Sequence, residues 1–136
     1  MKKTTLAALA LVLTPLSLAA QDAATEIEGV ISDQLTDFNN RDITGAWEHA
    51  SPMIKRLFGN PGNFGMMVQN GYPMVWNNKN PRFLDFDQMG DRVGRQMVMI
   101  DDPAGVPYLL EYNMIRTDTG WMINGVRVIP APDVGV

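Results

Sequence analysis

Three short turn segments divide the C-terminal half of the sequence into four runs rich in apolar residues. The runs cover residues 82–89, 91–100, 106–116 and 120–129. The segments between them are short and contain Gly, Asp and Pro. Parallel strands need a crossover of about a dozen residues or more, whereas antiparallel neighbours are joined by hairpins of a few residues. The spacing therefore predicts an antiparallel sheet.

The second of these runs is apolar on both of its faces. Val93, Met97 and Met99 alternate along one face, and Val98 and Ile100 lie on the other. A sheet covered on one face alone shows a cleaner alternation of apolar and polar residues. We therefore expect the second face to be covered as well, by the partner in a homodimer or by the curl of the sheet.

The N-terminal half shows helical periodicity instead. Residues 25–39 carry apolar side chains at spacings of three and four, which line one helix face: Ile27, Val30, Ile31, Leu35 and Phe38. Gln34 falls in the middle of this stripe, and a buried primary amide needs hydrogen-bond partners. Two interpretations stay open: Gln34 bonds to a strand carbonyl or to Asn124, or it points into a cavity and contacts a ligand.

Polar residues followed by apolar stripes mark the starts of the next helices. Asp42 is a plausible N-cap, and Ser51 and Asn60 are each followed by a proline at the first helical position. Glycines at positions 59 and 71 are the expected helix ends. In the helix after Ser51, the apolar side chains expected to face inward are Met53, Ile54, Leu57 and Phe58. The chain is thus predicted to be α+β, with three to four helices before the sheet.

His49, the single histidine of the sequence, comes just before Ser51-Pro52. Helical phase places it on the flank of the helix that starts after Asp42, about 110° from the centre of the apolar stripe. The proline ends that helix, so the imidazole lies in its last turn, where the helix dipole favours a protonated histidine. We expect a structural role for His49 and no part in catalysis.

The first twenty residues have the organisation of a signal peptide. Lys2 and Lys3 precede the run LAALALVLTPLSLA, and Ser17-Leu18-Ala19 gives the small-x-small pattern of a cleavage site. The apolar run is shorter than the about 20 residues that cross a bilayer. The sequence predicts a signal peptide over residues 1–20, a single domain over residues 21–136, and a periplasmic or secreted mature protein without a membrane segment.

Composition excludes several kinds of chemistry. There is no cysteine, which rules out disulfides and thiolate ligands. Losing the two positive charges of Lys2 and Lys3 takes the formal charge from −4 to −6, which disfavours nucleic acid as a partner. With one histidine, the remaining carboxylates do not have the grouping of a dedicated metal site. No cofactor, no metal and no catalytic residue is predicted.

Three segments carry a resemblance to a known family. VISDQLTDFNNRDITGAWEHASPMIKRLFG, FGMMVQNGYPMVW and GWMINGVRVIPAPDVG occur in this order. Together they resemble the bacterial family called domain of unknown function 4864, within the NTF2-like (SnoaL-like) superfamily. The resemblance implies export and a cone of helices packed on a curled antiparallel sheet. It implies no activity, because fold alone does not define function.

A cone of this kind could hold a ligand or a reaction. The candidate pocket residues are polar or aromatic: Gln34, Trp47, Phe64, Tyr72, Tyr108, Glu111, Tyr112 and Asn124. We expect binding of a small apolar ligand or a protein partner. One alternative is an isomerase- or dehydratase-like enzyme that uses a carboxylate and a tyrosine, although Glu111 could equally pair with Arg95 or Arg127 across the sheet. The other is a non-catalytic dimeric structural or assembly module.

Overall fold

A computed structural model describes residues 15–130, with side chains from residue 18 onward. Most of the expected signal peptide, residues 1–14, lies outside this part, as do residues 131–136. The helices are α1 (Pro15–Asn39), α2 (Ile43–Glu48), α3 (Pro52–Phe58), α4 (Pro61–Gly71) and α5 (Pro73–Trp76). The strands are β1 (Lys79–Gln88), β2 (Val93–Asp101), β3 (Pro107–Thr117) and β4 (Gly120–Ile129). No helix within this range is both long and apolar enough to cross a membrane.

The four strands form one antiparallel sheet in the order β1-β2-β3-β4. Each strand pairs with the next along the chain, as the short turn segments predict. Register shifts interrupt the β1–β2 pairing and the β3–β4 pairing next to Asn113. Such bulges bend a strand and increase its twist, and the sheet is curled without closing. The predicted α+β class is confirmed.

The core lies between the helices and one face of this sheet. On α1, four side chains at helical spacing are almost fully buried: Ile27, Ile31, Leu35 and Phe38. They pack with inward-facing residues of β2 and β3, including Val98, Ile100 and Leu110. The helix is longer than expected from the sequence, because it continues back to Pro15 through Leu- and Ala-rich residues that favour helix.

The three N-caps are confirmed by their hydrogen bonds. The side chain of Asp42 accepts from the Gly45 N–H at 3.0 Å, and Asn60 accepts from the Asn63 N–H at 2.8 Å. Ser51 accepts from the Ile54 N–H at 3.3 Å. Local side-chain chemistry therefore sets where α2, α3 and α4 begin.

Two features of the middle of the chain differ from the sequence prediction. A one-turn helix, α5, follows Tyr72, so five helices precede the sheet instead of the three to four that were expected. Pro73 explains it, because proline is well suited to the first position of a helix. On α3, Met53 and Leu57 are exposed, whereas Ile54 and Phe58 are half-buried. The expectation that all four point inward was wrong, because a helix of seven residues that lies on the surface buries only one narrow face.

We call the face of the sheet that points away from the helices and the core the outer face. Along β2 the burial alternates, with Gly94, Gln96, Val98 and Ile100 buried and the residues between them more exposed. Within the described part of the chain, the buried core lies on one face of the sheet and the helices pack there. The expectation that a second copy covers the outer face stays a prediction, because the structure contains a single chain.

Candidate functional site

A cavity of about 210 Å³ lies among α1, α3, α4 and the inner face of the sheet. Fifteen residues line it: Gln34, Phe38, Ala50, Ile54, Leu57, Phe58, Phe64, Met67, Val68, Tyr72, Val75, Tyr112, Ile123, Gly125 and Val126. None of them carries an ionisable acid or base other than the two tyrosine hydroxyls. Pockets with mainly apolar walls and a few polar groups are typical of small-molecule binding sites.

Aromatic side chains build one wall of the cavity. The ring of Phe64 lies 6.0 Å from that of Phe38 and 6.0 Å from that of Phe58, measured between centroids. Trp47 packs against Phe64 from behind at 5.6 Å, at a tilt of 59°. Tilted and edge-on contacts at these distances are favourable. Aromatic side chains from α1, α2 and α3 thus hold Phe64 in place.

The cavity reaches the surface at α3. Leu57 lines it and is nevertheless 69% exposed. Ile54 and Phe58, on the same helix, are half-buried, and α3 has no fully buried residue. A ligand would therefore pass beside this short helix. The apolar periodicity of α3 was the signal that could have identified these three lining residues from the sequence.

Gln34 supplies the side-chain amide of the cavity wall. It is 3% exposed, and its Nε2 donates to the Ala46 carbonyl of α2 at 3.0 Å. The two partners expected from the sequence were wrong: no strand carbonyl is used, and Asn124 Oδ1 accepts instead from the Ser51 hydroxyl at 2.7 Å. Among residues 15–130, no donor is hydrogen-bonded to Gln34 Oε1.

The two tyrosines of the wall differ in their hydroxyl partners. Tyr72 donates to the Val126 carbonyl at 3.1 Å. Tyr112 is completely buried, and no partner for its hydroxyl lies in the described structure. Burial raises the pKa of Tyr112 because it disfavours the phenolate. The Tyr112 hydroxyl therefore stays protonated, as a donor without an acceptor.

Of the eight residues predicted for the pocket, the cavity brings together Gln34, Phe64, Tyr72 and Tyr112. The other four lie elsewhere. Trp47 stands behind Phe64, and Tyr108 shares the inner face of β3 with Tyr112 but does not reach the cavity. Asn124 is engaged by Ser51 at a bulge of β4, and Glu111 is on the outer face.

Glu111 belongs to an ion-pair group on that outer face. Its Oε2 accepts from Arg127 Nε at 3.1 Å and also contacts Arg127 Nη2, while its Oε1 lies 3.7 Å from Arg95 Nη1. The cross-strand pairing considered from the sequence is thus present with both arginines. An acid–base site in the cone would need a carboxylate beside a tyrosine. Among the residues that the structure describes, no carboxylate lines the cavity, so the arrangement expected for an isomerase-like enzyme is not found there.

His49 lies outside the cavity, at the C-terminal end of α2. Its backbone N–H bonds to carbonyls of the preceding turn, in agreement with the predicted position at the helix end. Its Nε2 lies 3.6 Å from Asp37 Oδ2 on α1, and both side chains are half-buried. No local sequence pattern indicates this pair, because α1 brings Asp37 close to His49 through tertiary packing.

Several carboxylates surround this pair. The pKa of Asp37 is raised, first because partial burial disfavours the carboxylate. His49 acts in the opposite direction, and repulsion from Asp42, Asp33 and Glu48 adds to the rise. Within residues 15–130, no three histidine, aspartate or glutamate side chains are grouped so that they could hold a metal ion.

Fold and site together define an α+β domain whose helices and curled sheet enclose an apolar cavity with few polar groups. The chain belongs to the family described as domain of unknown function 4864, whose pattern matches residues 20–136. A search among curated proteins found no match. The match covers the whole predicted domain.

Proposed function

We propose that this protein binds a small apolar molecule in the cavity between α3, α4 and the sheet. The observation that carries the proposal is a volume of about 210 Å³ lined by aliphatic and aromatic side chains, to which the described residues add a single side-chain amide and two hydroxyls. Folded interiors are normally packed to the density of organic crystals, with few voids larger than a water molecule. A cavity of this size with an opening to the surface is therefore well suited to a ligand.

Cavity volume limits the size of that ligand. An engineered apolar cavity of about 150 Å³ is large enough to bind benzene. The cavity of this protein, at about 210 Å³, is about 1.4 times as large as that engineered cavity. A compound of two fused rings therefore fits, whereas a long lipid chain would have to extend past α3 into water.

Calorimetric titration with naphthalene tests the proposal. We expect the wild-type protein to bind it, and we expect Val126→Phe to weaken binding at least about tenfold because the larger side chain fills a half-buried position of the wall. Val93→Phe is the matched control: the same substitution on the outer face of β2 should leave affinity unchanged. Absence of binding to the wild type, or equal binding to all three proteins, would contradict the proposal.

A second proposed function is that of a dimeric module, supported by the chemistry of the outer face. Arg82 pairs with Asp101 at 2.9 Å, Arg95 with Asp87 at 2.9 Å, and Arg127 with Glu111. The positive and negative charges cancel within each pair, so these six side chains add no net charge to a chain whose formal charge is −4. A two-fold interface sets the same patch against itself, so a locally neutral, partly apolar face suits a second copy better than a charged one does.

We also propose export and membership of the NTF2-like superfamily. Export is supported by the charged start, the apolar run and the small residues before position 20, and the superfamily by helices followed by a curled sheet around a cavity. Mass spectrometry of protein from the periplasm should give an N-terminus within a few residues of Ala20. An intact Met1 there would contradict cleavage.

A further inference from the structure

The side-chain carbonyl of Gln34 has no obvious structural use. A carbonyl oxygen that accepts from no protein donor is expected to bond to water or to a ligand. Gln34 is 3% exposed and sits among the apolar residues of α1, and the part of the chain described by the structure provides no donor to its Oε1. The same residue lines the cavity.

The other end of the amide is fixed. Nε2 donates to the Ala46 carbonyl at 3.0 Å, which ties α1 to α2. The reverse orientation would set the carbonyl of Gln34 against that of Ala46, two acceptors without a proton between them. The amide is therefore oriented by α2, and its oxygen is the free group.

The other residues of the cavity wall determine which kind of ligand could donate a hydrogen bond to this acceptor. Within the described part of the chain, no charged side chain lies on the wall, and an ion without a counter-charge or hydrogen bonds is strongly disfavoured in an apolar site. A carboxylate or an ammonium ligand is excluded on this ground. The Tyr112 hydroxyl, also unpaired, is closed off from solvent, so the Gln34 oxygen is the free group that a ligand can reach. What fits is a neutral molecule with an apolar body of about two rings and one O–H or N–H group.

We propose that Gln34 determines ligand specificity: its Oε1 accepts a hydrogen bond from a neutral hydroxyl or N–H group of the bound molecule. The proposal deepens the function proposed above and rests on it. It names the ligand class as neutral ring compounds with a single donor, such as phenols, alcohols or indoles. Gln34 has two tasks in this account, one in joining α1 to α2 and one in recognising the ligand.

The test compares ligands of nearly the same shape that differ in the donor. Calorimetric titration of the wild-type protein should show 2-naphthol binding about tenfold more tightly than naphthalene, the gain of one buried hydrogen bond to a group otherwise unpaired. The ligand 2-methoxynaphthalene, which keeps the oxygen but lacks the proton, should bind no more tightly than naphthalene. This ligand series needs no variant, so the proposal stays testable if substitutions of Gln34 do not fold.

Two variants locate the effect. Gln34→Met keeps the length of the side chain and removes the acceptor, so 2-naphthol and naphthalene should bind within about twofold of each other. Gln69→Met is the control: it makes the same substitution at an exposed position of α4 outside the cavity lining, and the tenfold preference for 2-naphthol should persist.

The outcomes separate the two proposals. If the wild type binds naphthalene and 2-naphthol equally, or if Gln34→Met keeps the preference, the role of Gln34 is overturned and the cavity remains a ligand site. If the wild type binds neither compound, the proposed function fails, and the specificity argument with it.

Discussion

Two tyrosines on the cavity wall show how single polar groups influence stability in this protein. The hydroxyl of Tyr72 is used by the fold, because it bonds to the Val126 carbonyl at 3.1 Å. The hydroxyl of Tyr112 is buried without a partner in the described residues, which is unfavourable for folding. Residues that weaken the fold in this way are commonly found at functional sites.

The first prediction concerns these hydroxyls. Tyr112→Phe should raise the free energy of unfolding by about 1 kcal/mol, since it removes an unpaired buried group and keeps the ring. Tyr72→Phe, the same chemical change at the same cavity, should lower it by about 1 kcal/mol because a hydrogen bond is lost. Urea denaturation measures both values, and a destabilised Tyr112→Phe would show that its hydroxyl has a partner.

The second prediction concerns the pH dependence of Asp37. Its pKa is raised in the folded state, mainly by burial, so the folded protein binds a proton more readily than the unfolded chain does. The stability that protonation of Asp37 contributes is therefore present at low pH and is lost as the pH rises from about 4 through the raised pKa. Asp37→Asn should gain stability relative to the wild type over this range and stay more stable above it.

The matched control is Asp85→Asn, which makes the same change in net charge at an exposed position of β1. Thermal unfolding between pH 3 and pH 7 gives the comparison. A constant stability difference between Asp37→Asn and the wild type across this range would mean that the carboxyl titrates alike in both states.

Among the elements, α3 depends most on its ends. It has no fully buried residue of its own, and it forms the side of the cavity nearest to water. Ser51, completely buried, caps its first turn and donates to Asn124 on β4. At the other end Gly59 adopts φ +83°, a conformation that glycine adopts readily. Anchoring at the two termini takes the place of core packing.

The third prediction follows from this anchoring. Ser51→Ala should lower the free energy of unfolding by about 2–3 kcal/mol, because it removes a cap and leaves Asn124 with an unpaired oxygen. Asn60→Ala removes only a cap, at an exposed position, and should lower it by about 1 kcal/mol. Equal losses in denaturant unfolding would show that the Ser51–Asn124 contact adds nothing.

Elements defined by local chemistry could be predicted from the sequence. The caps of α2, α3 and α4 and the order of the strands depend on neighbouring residues and short turns, and the structure confirms them. Contacts between elements could not be predicted in the same way. The partner of Gln34 and the proximity of Asp37 to His49 depend on how α1 packs against α2.

The same distinction applies to the candidate site. On β3, Tyr108 and Tyr112 lie on one side and Glu111 on the opposite side, which agrees with the two-residue periodicity of a strand. Periodicity does not show which face encloses a cavity, so Glu111 could not be excluded from the pocket before the structure was known. The register beside the sheet bulge, which governs Asn124, is equally invisible in a single sequence.

At the scale of the whole molecule, the two faces of the sheet carry different kinds of residues. The inner face holds the core and the cavity, and the outer face carries three arginine–carboxylate pairs among methionines and other apolar residues. The inner face is proposed to bind the small ligand and the outer face a second copy. Because different residues carry them, these two proposals can be tested independently.

The fourth prediction tests the outer face. Light scattering at micromolar concentration should give the mass of a dimer for the wild type. Met99→Glu should give a monomer, since a two-fold interface would bring two new charges out of water. Met66→Glu makes the same substitution on α4 at an exposed position and should remain dimeric. A monomeric wild type would contradict this use of the outer face.

The most direct test of the central claim is an NMR measurement of contacts between bound naphthalene and the methyl groups of the protein. Intermolecular nuclear Overhauser effects should connect the naphthalene protons to Ile54, Val68 and Val126, which line the cavity. The methyl groups of Met97 and Met99, on the outer face, should show none. Contacts to those methionines instead, or no contacts at saturating naphthalene, would contradict the account.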